Sequence, residues 1–178
     1  MPEFSTAYRL TAYTAWANAV VLGNAKRLSA ADLEATRATL FESIAGTFDH
    51  ILVVAEMFLA HLEGRSNPHR SRRRSTALAF PEVVRGIHET DRRYVDMSRR
   101  WSRDDLDETV EFTFVDGGKG VMSREDILLH LTNHATYHRG FVSTLLYPLV
   151  GDSEASDFTV FLRDEWRSHV AVIGESRQ

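Results

Sequence analysis

Apolar residues recur at three- and four-residue steps along most of this 178-residue chain, the signature of helices that bury one face. Over residues 4–28 the stripe is Leu10, Tyr13, Ala17, Val20 and Val21, interrupted by Asn18. After a polar stretch, Ser-Ala-Ala-Asp-Leu and onward, a stronger stripe covers 40–62: Leu40, Ile44, Phe48, Ile51, Ala55, Phe58 and Leu62. Gly64 supplies a C-terminal cap, and the Asn-Pro, serine and clustered arginines of 64–76 have loop chemistry. Pro81 suits the first turn of a third helix that reaches Trp101, with a short turn after it. The period then changes to two. Val110, Phe112 and Phe114 share a face, Asp116 to Gly120 make a turn, and a return strand follows. Ser123 and Asp126 have capping-box spacing at the start of the longest helix, 123–147, which Pro148 is expected to stop. A last helical segment lies over 156–170. A hairpin this small must lean on the helices. The pattern predicts an all-α protein: a four-helix bundle with a small β-hairpin inserted before the last long helix, in a single domain over 1–178.

Composition narrows the chemistry. The chain has 43% hydrophobic and 26% charged residues and a net charge of −4, which gives no electrostatic reason to expect nucleic acid as a partner. No unbroken run of 18 apolar residues occurs, so no membrane partner is expected. The first ten residues lack the basic start and apolar stretch of a secretion signal, and a cytoplasmic location is expected. Cysteine is absent, which removes disulfides and thiolate ligands. Any bound metal therefore needs His, Asp or Glu.

The histidines supply the candidates. His130, His134 and His138 stand four apart on the longest helix. Scattering 8 His at random over the chain yields on the order of 0.01 such triples, so the spacing asks for a cause. Residues four apart lie on one face, and two imidazoles there can converge on one cation. An ideal helix drifts about 40° per four-residue step, so one adjacent pair binds while the third histidine serves nearby or packs. The missing ligand must come from another helix, and His50 in the apolar second helix is the candidate. A neutral histidine there needs a partner for at least one nitrogen. His61, His69, His88 and His169 fall near helix ends or in polar stretches and are expected to be solvated.

The stretch Asn133-His-Ala-Thr-Tyr-His-Arg-Gly140 resembles the NHxxxHRGQ-type signature of the DinB (DinB/YfiT-like) family. Tyr13 to Asn18, the Thr47-Phe-Asp-His50 stretch and the glycine-rich hairpin before the long helix support the likeness from about Tyr13 to Phe161. The resemblance implies a divalent metal, zinc or nickel, held by His50, His134 and His138, with His130 outside the ligand set. Phe141 stands where relatives often carry Gln. The resemblance further implies a metal-dependent enzyme acting on a small molecule, either a thiol-dependent transferase or a hydrolase. A low-molecular-weight thiol is then a partner, and relatives often pair as homodimers. The alternative is a non-catalytic metal-binding bundle with a stress-related role.

Supporting roles can be assigned by position. Asn133 can orient a ligand ring or a bound water, Tyr137 and His130 are candidates for proton transfer, and Tyr13 and Trp16 are candidate pocket walls. Arg139 reads as a salt-bridging or capping group, and the arginines of 70–75 as a solvated loop. Metal affinity is expected to fall through the ordinary histidine range near ~6.5 as protons compete.

Overall fold

The computed structural model describes residues 4–168, so the expected helical stretch beyond 168, with His169, lies outside the described residues. Four long helices form the frame: α1 (Thr6–Ala25), α3 (Ile44–Leu62), α4 (Phe80–Arg100) and α6 (Arg124–Val150). Short helices α2 (Ala30–Glu34) and α5 (Arg103–Asp107) sit in the connections. Strands β1 (Thr109–Thr113) and β2 (Lys119–Ser123) pair antiparallel just before α6, with Phe112 opposite Gly120. After α6 comes α7 (Phe158–Phe161), whose continuation over Leu162–Trp166 widens to π-type turns. The four-helix bundle with an inserted hairpin is therefore the observed fold.

Helix starts follow serine chemistry. Ser5, Ser43 and Ser123 each accept a hydrogen bond from a backbone N–H three residues on. At Ser123 the carboxylate of Asp126 completes a capping box. The second long helix begins at Ile44, four residues later than its apolar stripe suggests. Glu42 has φ of 68° and Ser43 is the cap, so residues 39–43 form a turn and Leu40 stays exposed. Two further boundaries differ from expectation. The Ser29-capped α2 occupies what read as a polar stretch. Pro148 does not stop α6, because a proline in the last turn removes a single N–H bond; the helix ends at Gly151, whose φ of 73° turns the chain.

Helix α3 is the centre of the packing. Fifteen of its 19 residues are buried, and it lies against both α4 and α6, which also contact α1. By length and apolar composition α3 could cross a membrane, but 72% of its most apolar window is buried inside the bundle. A core helix explains that composition. One apolar cluster joins α1, α3, α4 and α6 around Phe48, Leu52, Ile87 and Leu146. A second ties the hairpin to the bundle through Phe58, Phe112, Ile127 and Leu128.

A buried polar chain crosses the bundle. Arg139 of α6, only 2% exposed, donates to the Asn18 side-chain oxygen at 2.8 Å. The Asn18 amide in turn donates to both carboxylate oxygens of Asp91 on α4, at 3.1 and 2.9 Å. Burial pushes the Asp91 carboxyl up to about 7, opposed by the Asn18 hydrogen bonds and the Arg139 charge. The polar residue that interrupts the first apolar stripe is thus the bridge between two buried ionisable groups. Because Arg139 follows His138 directly, the chain also fixes the rotation of α6 about its axis. Arg139→Ala strips this bridge and should lower unfolding free energy by about 3–5 kcal/mol. Exposed Arg85→Ala should change it by less than about 0.5 kcal/mol. Urea midpoints of the two variants check the contrast.

Candidate metal centre

Three histidines meet where α3 faces α6. The ligand-type nitrogens of His50, His134 and His138 all lie within 4.8 Å of one another. The Nε2 atoms of His50 and His134 are 3.0 Å apart, across 84 positions of sequence. Two imidazoles sharing one ion at ordinary bond lengths place their nitrogens about 2.9–3.4 Å apart. The closest pair already has that spacing. The His138 ring centroid is 4.4 Å from that of His134 and 4.6 Å from that of His50.

His50 is oriented from behind. Its Nδ1–H donates to the backbone carbonyl of Arg72 at 2.9 Å, so Nε2 is left as the lone pair that faces His134. The Phe41 ring stacks on the imidazole at 3.8 Å between centroids and stands edge-on to His138 at 5.5 Å. Phe41 is held there by the turn that precedes α3. At Gly46 an added Cβ would lie 2.3 Å from the Phe41 carbonyl oxygen, so only glycine admits this close approach.

Electrostatics keep all three rings neutral, the form that ligates metal. Burial lowers His134 to about 3, aided by the neighbouring His138, His50 and His130. Burial lowers His138 to about 4, with His50 adding to the effect. His50 is also lowered, mainly by burial, against the opposing pull of its bond to Arg72. Among the described residues no carboxylate joins the cluster, so the protein offers three ligands and leaves other coordination positions open. The donor set, its spacing and its protonation fit a divalent ion.

The open side faces a cavity of about 1140 Å³ between α3, α6, the hairpin and the 64–76 loop. His130, Asn133 and Tyr137 line it together with the three ligands. His130 lies one turn before His134, its ring 5.8 Å away, and burial lowers its pKa. Asn133 is exposed on the wall, and Tyr137, 66% exposed, stands edge-on to His138 at the mouth. Tyr13 and Trp16 are elsewhere. They pack with Phe158 and Phe161 in a separate aromatic cluster, and Tyr13 donates to the Ser156 carbonyl at 3.1 Å. Their aromatic spacing served the C-terminal segment, not the cavity.

Two other histidines depart from the solvated reading. His61 lines the cavity and stacks on Phe112 at 4.8 Å. His69 pairs with Glu56 at 2.5 Å. The arginine loop is likewise not free. Arg74 bonds to Asp49 at 2.8 Å and Glu56 at 2.6 Å, and Arg73 bonds to Glu42 and the Leu40 carbonyl while covering Phe41. Sequence patterning missed Phe41, Gly46 and the Arg72 carbonyl. Phe41 sits in a turn, and Gly46 in the first turn of α3, both hidden by an uninterrupted apolar stripe, and a backbone carbonyl leaves no mark in sequence.

A helical bundle with three histidines gathered from two facing helices beside an open cavity has a ligand set that could hold a metal ion. The chain matches the DinB family over residues 1–167 and belongs to it. It is 22% identical over 167 residues to Protein DinB of Bacillus subtilis (strain 168), covering 88% of this chain and 93% of that protein.

Two outcomes follow from the geometry. His134→Ala should abolish zinc retention, whereas His130→Ala should keep at least about half, as read by metal analysis after dialysis. The depressed pKa values also shift proton competition downward: protons displace metal only as pH approaches the folded-state values, not near the ordinary ~6.5. Zinc affinity at pH 5.5 should therefore stay within about fivefold of that at pH 7 and fall steeply below pH ~5. A tenfold loss per unit beginning at 6.5 would contradict the burial of these rings.

Proposed function

We propose that this protein is a metal-dependent enzyme that joins a low-molecular-weight thiol to a small-molecule substrate, with zinc or nickel held by His50, His134 and His138. The observation that carries this reading is the open face of the three-histidine cluster on a large cavity. A sealed structural site would spend that face on a fourth protein ligand. A divalent ion there lowers the pKa of a bound thiol or water, since three neutral ligands leave its charge uncompensated.

The residues around the cluster favour the thiol over water as nucleophile. Water attacks well only with a strong general base beside it; among the described residues no carboxylate stands with the histidines, which leaves His130, whose pKa burial lowers. A thiol is far more acidic than water and ionises at the cation without such a base. His130, which lines the cavity one turn from His134 and has no hydrogen-bond partner among the described residues, can take up the proton that the thiol releases. Asn133 can orient substrate from the same wall. Phe41 and the Arg72 carbonyl hold His50 still.

Cobalt-substituted protein tests this directly. Adding a low-molecular-weight thiol should produce a sulfur-to-cobalt charge-transfer band, absent in His134→Ala. A cobalt site that binds stoichiometrically but never admits thiol would instead mark a metal strut between two helices.

A further inference from the structure

The cavity has two chemically different parts. Its wall beside the histidines is apolar, formed by Met57, Phe58, Phe112 and Met122. Its rim on the 64–76 loop carries Arg70, Arg72 and Arg73, against a single acidic lining residue, Asp116. Arg73 is occupied by Glu42 and the Leu40 carbonyl. Arg70 and Arg72 have no ion pair or side-chain hydrogen bond among the described residues, whereas most other arginines of this acidic protein are paired.

The backbone that carries these two arginines is anchored by its neighbours. Arg74 is pinned to Asp49 and Glu56, His69 to Glu56, and the Arg72 carbonyl to His50. The backbone between 69 and 74 is thus anchored at three points. Two unpaired guanidiniums on an anchored stretch of backbone beside an apolar wall are suited to hold an oxyanion.

We propose that the cavity binds a small organic anion with an apolar body: Arg70 and Arg72 take its carboxylate-type head, and the Met57, Phe58, Phe112 and Met122 wall takes its hydrocarbon part. That its reactive atom lies at the metal rests on the function proposed above; recognition of the anion does not. The cavity volume of about 1140 Å³ accommodates such a molecule together with a thiol.

The test compares 4-phenylbutyrate with 4-phenylbutan-1-ol, which share a body and differ in charge, by titration calorimetry on metal-free and zinc-loaded protein. In both forms the acid should bind at least about tenfold tighter than the alcohol. Arg70→Gln with Arg72→Gln should erase that preference and leave alcohol affinity within about twofold. Both side chains are exposed, and the substitution keeps the Arg72 carbonyl that bonds His50. Arg85→Gln with Arg100→Gln removes the same charge from α4 and should preserve the preference.

Equal binding of acid and alcohol, or a preference that survives the loop substitutions, overturns the proposal. A preference seen only with zinc and indifferent to the arginines overturns it too, while leaving the metal site intact. An arginine-dependent preference in protein that never takes up metal supports anion recognition and removes the metal function.

Discussion

A histidine 4% exposed on the most buried helix of the bundle is the constraint on which the site depends. An imidazole in that position cannot afford a charge or an unpaired N–H. The fold answers by bringing the Arg72 carbonyl to one ring nitrogen and two histidines of α6 toward the other. Each answer recruits a different part of the chain. The carbonyl recruits the loop after α3, and the facing histidines recruit the longest helix, whose rotation is set by the buried Arg139–Asn18–Asp91 chain.

The same constraint separates the histidine end from the rest of the cavity. Burial that would be a cost for a protonated ring is an advantage for a ligating one, because it holds His134 and His138 neutral far below the ordinary histidine range. Charge is instead placed at the rim, where Arg70 and Arg72 meet solvent. The Met and Phe wall adds low-dielectric surface beside the histidines, which strengthens electrostatic interactions there. A cavity with a histidine cluster, an apolar wall and a basic rim therefore forms beside one helix packed deep in the bundle.

Close packing at the turn before α3 shows how tightly this is built. In an ordinary helix, alanine in place of glycine favours folding by about 1 kcal/mol. At Gly46 a Cβ would meet a backbone oxygen at 2.3 Å, a contact that rotamer changes cannot relieve. Steric exclusion outweighs propensity here, and the glycine sets the position of Phe41 against His50. The turn was invisible to periodicity because Leu40 keeps the helical step yet lies exposed outside the helix. Tyr13 and Trp16 mislead in the converse way: their spacing is helical and they are partly or fully buried, but against the C-terminal segment.

By itself the sequence determined the class of fold and the order of its long helices and hairpin, because apolar periodicity, the capping box at Ser123 and the hairpin turn are local properties that short-range sterics and hydrogen bonding enforce. It also singled out the four-residue histidine spacing, since helix geometry makes that spacing a shared face. Only the tertiary structure decided that His50 and His134 come within 3.0 Å, that a loop carbonyl selects the tautomer, and that Asn18 bridges two buried ionisable groups. Those facts depend on which faces of distant helices pack together. Such packing is settled by burial over the whole bundle, and no local pattern records it.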